Sequence, residues 1–279
     1  MNQSDKASAI QAFYDADAHG YFEHRWNRNV VTRADYAITR EILMSLMKPP
    51  PGARLLEIGC GPGTWTEIVI SRGAVVTALD ISEGMLAEAR SRVDERQARF
   101  VRADFATWSP EDGEMFDGAY SVRVFEHIAE KREALRRLRA LLRPGARAVI
   151  ITKTVPSVWN GRVRIMRTLR GLSGKRKLAG AGAEGFWMER VTPWQLARLM
   201  TDAGFVKVGV TPVVFRPPFF RGGESEYPLI SDGAAPGLLR WHNRLALEVM
   251  KLPGWLRVAK TLGSESYAAW GVVPGGAAS

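Results

Sequence analysis

Between residues 54 and 153, short runs rich in Val, Ile and Leu alternate with segments whose apolar positions recur at helical spacing. Such runs are typical of strands buried on both faces of a parallel sheet, and the segments between them are typical of connecting helices. The predicted strands are Arg54–Ile58, Val75–Leu79, Arg99–Arg102, Phe116–Val122 and Arg147–Lys153. The pattern therefore predicts an α/β domain built from βαβ units, with helices on both faces of a mostly parallel sheet.

Capping residues mark three of the expected helices. Ser82 is a predicted N-cap, and Arg143-Pro144-Gly145 is expected to stop the following helix. Thr192 and Pro193 predict the start of a third helix, which Gly204 ends. The apolar positions expected to be buried on these helices are Met85, Leu86, Ala89 and Val93, then Ile128, Leu135, Leu138 and Leu142, and finally Trp194, Leu196, Leu199 and Met200.

The chain is predicted to have three parts. Residues 1–50 are expected to form an N-terminal helical lid, and residues 216–279 form a C-terminal extension. Residues 51–215 form the core, whose last predicted strand is Phe205–Val214. A glycine-rich basic insertion at 156–190 interrupts this core and resembles a connector or a lid more than a second domain.

The net charge of +10 and the pI near 10.0 favour an anionic partner, either nucleic acid, a phosphorylated substrate or a membrane surface. Much of the excess is local, since residues 156–190 contain eight basic and two acidic side chains. A solvated basic segment without a partner is the alternative interpretation.

Cys60 is the one cysteine, so no intramolecular disulfide can form. The polar N-terminus lacks a signal-peptide pattern, and no apolar run approaches the roughly 20 residues needed to span a bilayer. We expect a cytoplasmic protein. The sequence leaves the oligomeric state open, with a homodimer among the alternatives.

Three glycines follow the first predicted strand, in the order Gly59-Cys60-Gly61-Pro62-Gly63. Glycine allows a tight turn and a close approach of the backbone to a ligand. The dinucleotide fingerprint G-x-G-x-x-G needs a glycine at position 64, where this chain has Thr64. The turn therefore predicts a ligand site but departs from the nicotinamide-type pattern.

Two more strand ends carry polar groups of matching chemistry. Asp80, about 20 residues past the glycines, is expected to accept hydrogen bonds from ribose hydroxyls. Asp104 and Phe105 follow the third strand and suit an adenine. The carboxylate would accept a hydrogen bond from the exocyclic amine of the adenine, and the phenylalanine ring would cover the face of the base. The alternative is an aspartate that caps a turn beside a core phenylalanine.

At this point the chain resembles the class I S-adenosylmethionine-dependent methyltransferases, particularly the branch of ubiquinone- and menaquinone-pathway and small-molecule O-methyltransferases. The matching blocks are Glu57–Gly63, Leu79–Ser82, Ala103–Phe105, Phe116–Ser121 with Phe125–Ile128, and Leu142–Gly145. The resemblance implies S-adenosylmethionine as cofactor. It also implies a Rossmann-like, seven-stranded sheet with a reversed final hairpin.

The resemblance implies particular roles for these residues. Glu57, Gly59 and Gly61 would position the methionine part of the cofactor, and the three strand-end residues above would hold its ribose and adenine. The cofactor site is also predicted to include Cys60, Ile81, Met85 and Val122.

An aromatic N-terminal segment resembles the lid helix of such enzymes. It contains Phe13-Tyr14, Tyr21-Phe22 and Arg25-Trp26, of which Tyr14, Tyr21 and Arg25 are assigned to the cofactor site. Arg25 would pair with the methionine carboxylate. The alternative is that these aromatic residues only pack.

Methyl transfer is an in-line displacement for which a base is optional. His127 is the candidate general base for a hydroxyl acceptor, and a structural or cofactor-contacting histidine is the alternative. Ubiquinone-pathway relatives place a Glu three residues before the Glu-His pair, where this chain has Arg123. Since a cation there would repel a metal, we predict an enzyme without a metal site.

The acceptor is expected to be small, hydrophobic or lipid-like, and methylated at oxygen. A wide apolar helix face at 238–250, with the basic insertion, is expected to cap the acceptor site, to support dimerisation or to contact a membrane surface. Packing of this helix on the core of the protein itself is the default alternative. Nucleic-acid methylation is the alternative on charge grounds, but no Asn/Asp-Pro-Pro-aromatic motif follows the fourth strand. A binding protein that merely retains the fold is a third interpretation.

Overall fold

The computed structural model describes residues 3–28, 30–94, 96–153, 189–215 and 264–275. The strands in these ranges are β1 Arg54–Ile58, β2 Val75–Asp80, β3 Ala98–Arg102, β4 Phe116–Val122, β5 Leu142–Lys153, β6 Val206–Phe215 and β7 Ser264–Val272. The α-helices are α1 Gln3–Asp17, α2 Val30–Met47, α3 Thr64–Ile70, α4 Glu83–Arg92, α5 Lys131–Ala140 and α6 Pro193–Asp202. A π-helical turn, Glu23–Asn27, lies between α1 and α2.

The strands form one seven-stranded sheet in the order β3-β2-β1-β4-β5-β7-β6. Strands β1 to β5 pair in parallel, and β7 runs antiparallel between β5 and β6. The chain moves outward from β1 to β3 and then resumes on the other side of β1 with β4, so a topological switch point lies between β1 and β4. Ligands of open α/β sheets bind at such points. The predicted Rossmann-like, mostly parallel sheet with a reversed final hairpin is confirmed.

Neighbouring residues of β1 face two separate cores. Leu55 belongs to a core with Leu43 of α2 and Val69 of α3. Leu56 belongs to the core on the opposite face, with Leu135 of α5. Because side chains alternate along a strand, these neighbouring residues face opposite sides of the sheet, and helices cover both sides. The buried residues of β1 are apolar except for Glu57.

Strand β5 begins five residues before the predicted start at Arg147. Leu142 pairs with Phe116, and a register shift follows where Gly145 adopts a φ of 84°. The segment Arg143-Pro144-Gly145, expected to stop a helix, therefore bends a strand. Helix α5 is correspondingly shorter than the predicted stripe, which placed Ile128 and Leu142 on it.

Both predicted N-caps are confirmed. The Ser82 hydroxyl accepts a hydrogen bond from the Met85 amide at 3.1 Å, and Thr192 forms a capping box with Gln195. The buried position predicted for Trp194 is wrong, because this side chain is 48% exposed. Leu196 lies two residues further on, and two residues turn a helix through about 200°, so Trp194 points away from the buried face.

Strand β7 lies in the range predicted as the C-terminal extension. The sheet therefore draws on residues beyond 215, since β7 fills the position between β5 and β6. The remaining division into three parts stays a prediction. The basic insertion up to residue 188 and the apolar helix at 238–250 lie outside the described residues. None of the helices that the structure describes is long and apolar enough to cross a membrane.

We expect the capping box to stabilise α6 and the packing of its buried face. Thr192→Ala should lower the free energy of unfolding by about 1 kcal/mol, because the Gln195 amide loses its acceptor. The exposed Thr201 of the same helix is the matched control, and Thr201→Ala should change it by less than about 0.5 kcal/mol. Urea unfolding measures both, and equal losses would contradict the role of the cap.

Candidate cofactor and acceptor site

A cavity of about 830 Å³ opens at the carboxyl ends of β1, β2, β3 and β4. Strand ends form its floor, while α1 and the π-helical turn contribute to its roof. Twelve of the predicted site residues line it: Tyr14, Tyr21, Gly59, Cys60, Gly61, Asp80, Ile81, Met85, Asp104, Phe105, Val122 and His127. The structure therefore brings together residues that are up to 113 positions apart in the chain.

The glycine turn after β1 is held against β2. The amides of Gly59 and Cys60 both donate to the Leu79 carbonyl, at 2.8 and 2.9 Å. Gly59 has a φ of 71°, and a Cβ there would lie 2.2 Å from a methyl group of Val124. Gly61 has a φ of 52°, and a Cβ there would meet no atom within 4 Å. The backbone at Gly61 thus borders open cavity, which is the arrangement that close approach of a ligand requires.

Asp80 braces this turn at the end of β2. Its Oδ2 accepts a hydrogen bond from the Gly61 amide at 2.8 Å, and its Oδ1 accepts one from the Ser82 amide at 2.9 Å. Burial raises the pKa of the Asp80 carboxyl, although these amide donors oppose the change. Each carboxylate oxygen has a second lone pair, so Asp80 can also accept from hydroxyl groups in the cavity.

Asp104 and Phe105 form the cavity wall at the end of β3. The Asp104 carboxylate accepts a hydrogen bond from the Ala106 amide at 2.9 Å, and Phe105 packs into one of the two cores. Both therefore have the structural roles considered as alternatives, and both also line the cavity. Together with Ile81 and Met85 they form a largely apolar wall that fits a flat heterocycle beside a carboxylate.

Asp15 fastens helix α1 to the N-terminus of α4. Asp15 Oδ1 accepts hydrogen bonds from the Ser82 hydroxyl at 2.6 Å and from the Gly84 amide at 3.1 Å. The hydrogen bond from Ser82 is the main reason why the pKa of Asp15 is lowered. These contacts join α1 to the N-terminus of α4, where a negative charge is favourable.

The aromatic residues of the roof both pack and line the cavity. The rings of Tyr14 and Tyr21 meet edge to face at 6.1 Å, and Trp26 meets Trp65 of α3 at 5.1 Å. All four line the cavity. The lid geometry is thus consistent with both interpretations of this segment.

Two predicted cofactor residues, Arg25 and Glu57, do not line the cavity. The Arg25 guanidinium lies over the Trp26 ring at 4.9 Å, and its charge acts on the hydroxyls of Tyr14 and Tyr21. Its pairing with the methionine carboxylate stays a prediction.

Glu57 lies behind the glycine turn and is 1% exposed. Its Oε2 accepts hydrogen bonds from the Thr66 hydroxyl at 2.6 Å and the Tyr120 hydroxyl at 2.9 Å. Burial raises the pKa of Glu57 to about 8, and the two hydroxyl donors offset only part of that effect. Glu57 thus ties β1 to α3 and β4, and its predicted contact with the cofactor is not tested by the geometry.

His127 meets the lid inside the cavity. Its Nε2 and the Tyr14 hydroxyl are hydrogen-bonded at 3.1 Å, with the direction set by the histidine tautomer. Burial is the main reason why the pKa of Tyr14 lies far above its usual range, so this hydroxyl stays neutral. The pair links a lid residue to the end of β4.

Arg123 is a cavity residue that the sequence analysis considered only as a reason to exclude a metal. It is 7% exposed, lines the cavity and has a φ of 66°. Its signal in the sequence is a single charge inside the apolar run Val122-Arg123-Val124-Phe125. A charged side chain is seldom buried in such a run unless it is paired or serves a function, because leaving water costs free energy.

The fold and the cavity together define a Rossmann-like α/β protein whose cavity lies at the topological switch point, where such sheets bind their ligands. A family described as a methyltransferase domain matches residues 55–145.

Two relatives and a solved structure extend this match. A ubiquinone biosynthesis O-methyltransferase from Ruegeria pomeroyi is 32% identical over 214 residues, which cover 72% of this chain and 81% of that protein. A trans-aconitate 2-methyltransferase from Variovorax paradoxus is 37% identical over 124 residues, 43% of this chain and 47% of that protein. The chain thus spans about half the length of the trans-aconitate methyltransferases that it matches. Magnesium protoporphyrin IX methyltransferase from Synechocystis has the same fold, with a TM-score of 0.54 at 14% identity over 96% of this chain and 99% of that one.

The chain belongs to the class I S-adenosylmethionine-dependent methyltransferases, in the branch of the ubiquinone and menaquinone methyltransferases. S-adenosylmethionine is the cofactor of this class.

The raised pKa of Glu57 predicts that stability falls as pH rises. The folded state holds a proton on Glu57 up to about pH 8, whereas the unfolded chain releases it near its ordinary value of 4.5. Between these values the wild type should lose up to about 1.4 kcal/mol per pH unit relative to Glu57→Gln. Urea unfolding from about pH 5 to about pH 8 measures this, with Glu67→Gln on the exposed face of α3 as the control. Parallel curves for wild type and Glu57→Gln would contradict the assignment.

The open space beside Gly61 predicts that a side chain there blocks the cofactor. Wild-type protein with S-adenosylhomocysteine at about 100 times its dissociation constant should gain roughly 2.7 kcal/mol, and Gly61→Arg should lose this gain. Gly52→Arg is the matched control, since Gly52 also has a positive φ and open space but lies outside the cavity lining. A folded Gly61→Arg variant with the full thermal shift would overturn this prediction.

Proposed function

We propose that the protein transfers a methyl group from S-adenosylmethionine to an oxygen atom of a small acceptor with an apolar body, without a metal ion. The observation that carries this proposal is the continuity of one cavity. It extends from Asp104 and Asp80 at the ends of β3 and β2 to His127 beyond the end of β4.

The residues of this cavity suggest how it would hold the cofactor. Asp80 would hold the ribose, Asp104 and Phe105 the adenine, and the Gly59–Gly61 turn the methionine part, with Tyr21 at the lid and Arg25 behind it, outside the cavity lining. S-adenosylmethionine, when bound, supplies a methyl group on a positively charged sulfur. The chain itself contributes binding, alignment and exclusion of water by α1.

His127 is the proposed general base. In the lidded site its Nε2 meets the Tyr14 hydroxyl, and an acceptor hydroxyl would take that place and give up its proton to Nε2. Because Tyr14 stays neutral, it can donate to the acceptor or to the imidazole without carrying charge of its own. The name of the Ruegeria relative, an O-methyltransferase, supports oxygen as the atom methylated.

The apolar part of the cavity lining supports an acceptor with an apolar body. It includes Ile10, Trp65, Val124, Ile128 and Ala129. The cation of Arg123 in the same lining supports transfer without a metal, since like charges repel in a buried site.

We expect purified protein and tritiated S-adenosylmethionine to label the organic extract of cells rather than their nucleic acids. His127→Gln should lower kcat for that product by about 10²-fold or more while S-adenosylhomocysteine affinity stays within about twofold. Exhaustive chelation should leave turnover intact. Label confined to nucleic acid would favour the nucleic-acid alternative, and activity lost to chelation and restored by magnesium would refute the metal-free proposal.

A further inference from the structure

Thr64, the first residue of α3, has a buried hydroxyl group without a protein partner. The residue is 2% exposed and lines the cavity, and its hydroxyl makes no hydrogen bond to any residue that the structure describes. A buried polar group normally has a partner, because the hydrogen bonds that it made to water are otherwise lost. Since Thr64 borders the cavity, a molecule bound there can supply the missing partner.

Helix α3 does not use this hydroxyl. Threonine caps a helix from the N-cap position, which is occupied here by Gly63 with a φ of 74°. Within a helix, a threonine hydroxyl can instead bond the carbonyl four residues earlier. For Thr64 that carbonyl belongs to Cys60, and it accepts the Gly63 amide at 3.2 Å. The two common structural roles of a threonine hydroxyl are therefore not used at this position.

The glycine turn before Thr64 has backbone acceptors to offer to a ligand but no backbone donor. Its amide hydrogens all bond within the protein, namely those of Gly59, Cys60, Gly61 and Gly63. Pro62 has no amide hydrogen. Carbonyl oxygens have two lone pairs each, so the turn can accept hydrogen bonds from an ammonium group. A carboxylate beside the turn needs another donor, and the first side-chain donor after the turn is the Thr64 hydroxyl.

Thr64 stands in the chain between this turn and a contact with the lid. The next residue, Trp65, also lines the cavity, and its ring meets the ring of Trp26 at 5.1 Å. Arg25, expected from the sequence to pair with the methionine carboxylate, lies over the Trp26 ring and outside the cavity lining. The Thr64 hydroxyl is thus better placed than Arg25 to meet a carboxylate beside the turn.

We propose that the Thr64 hydroxyl donates a hydrogen bond to the carboxylate of the methionine part of S-adenosylmethionine. This rests on the proposed function, which assigns the methionine part to the glycine turn. The carbonyls of the turn would then receive the ammonium group, so that both charged groups of the methionine part have a partner of the right kind. Because this contact is remote from the methyl group, Thr64 acts on the affinity for the cofactor and not on the chemical step.

The test compares three nucleosides that differ only in the amino-acid part. S-adenosylhomocysteine carries the ammonium and the carboxylate, its decarboxylated form lacks only the carboxylate, and methylthioadenosine lacks both. Thr64→Val keeps the shape of the side chain and removes the hydroxyl. In calorimetric titrations it should weaken S-adenosylhomocysteine binding by about tenfold or more, as expected for a hydrogen bond to a charged group, and change the other two affinities by less than about twofold.

Two further variants are the controls. Thr64→Ser keeps the hydroxyl and should retain most of the affinity for S-adenosylhomocysteine. Thr39→Val removes a buried hydroxyl of α2 that also has no partner among the described residues but lies outside the cavity lining, and it should leave all three affinities unchanged.

Stability separates this role from a structural one. Without ligand, Thr64→Val should unfold at the same urea concentration as the wild type or at a higher one, because the variant removes a buried polar group that has no protein partner. A hydroxyl that held the fold together would instead leave the free variant less stable.

Three results would overturn the proposal. They are full affinity of Thr64→Val for S-adenosylhomocysteine, a loss of affinity that the decarboxylated form shares, and a lower stability of the free variant. These results would refute the role of Thr64 alone. A wild type that binds none of the three nucleosides would refute the cofactor site of the proposed function as well.

Discussion

The site depends on one constraint, which is that the chain must leave β1 through a left-handed turn pressed against two neighbouring strands. The Leu79 carbonyl of β2 receives the amides of Gly59 and Cys60, while Val124 after β4 occupies the volume that a side chain at Gly59 would need. Asp80 closes the arrangement by accepting from the Gly61 amide. The ends of β1, β2 and β4 are therefore set relative to one another by these backbone and side-chain contacts, which is the preorganisation that an alignment-driven reaction needs.

Local sequence patterns predicted the strands next to the glycine turn, whereas features that depend on contacts between distant segments were not predicted. Strands β1 and β4 have their predicted bounds because an apolar run between turn residues is a local signal. Strand β7 was missed because Ser264–Val272 is rich in Ser, Ala and Gly, which have little strand preference of their own. Its place depends on packing, since Gly209 of β6 leaves room for the Trp270 ring of β7.

The contacts that hold the lid show the same difference between local signals and contacts with distant segments. A serine before an apolar stripe predicted the cap of α4, but nothing near Ser82 in the sequence indicates that its hydroxyl also donates to Asp15, 67 residues earlier. One side chain thus shapes the helix beside the cofactor site and holds the helix above it. The contact of Tyr14 with His127 joins the same lid to the opposite side of the cavity. The position of α1 is consequently coupled to both sides of the cavity. In the sequence, Tyr14, Asp15 and Ser82 on their own show no sign of these contacts.

Two buried glutamates show why the electrostatics of the site cannot be derived from residue type. Glu57 accepts hydrogen bonds from two hydroxyl groups, and burial raises its pKa to about 8, so its carboxyl group keeps a proton near neutral pH. Glu126 is buried as well, but Arg123 and Lys153 keep it ionised. The two glutamates therefore differ in protonation although both are buried, because hydroxyl donors surround one and cations surround the other. Burial alone raises the pKa of a carboxyl group, and only the neighbouring charges decide whether that group stays ionised.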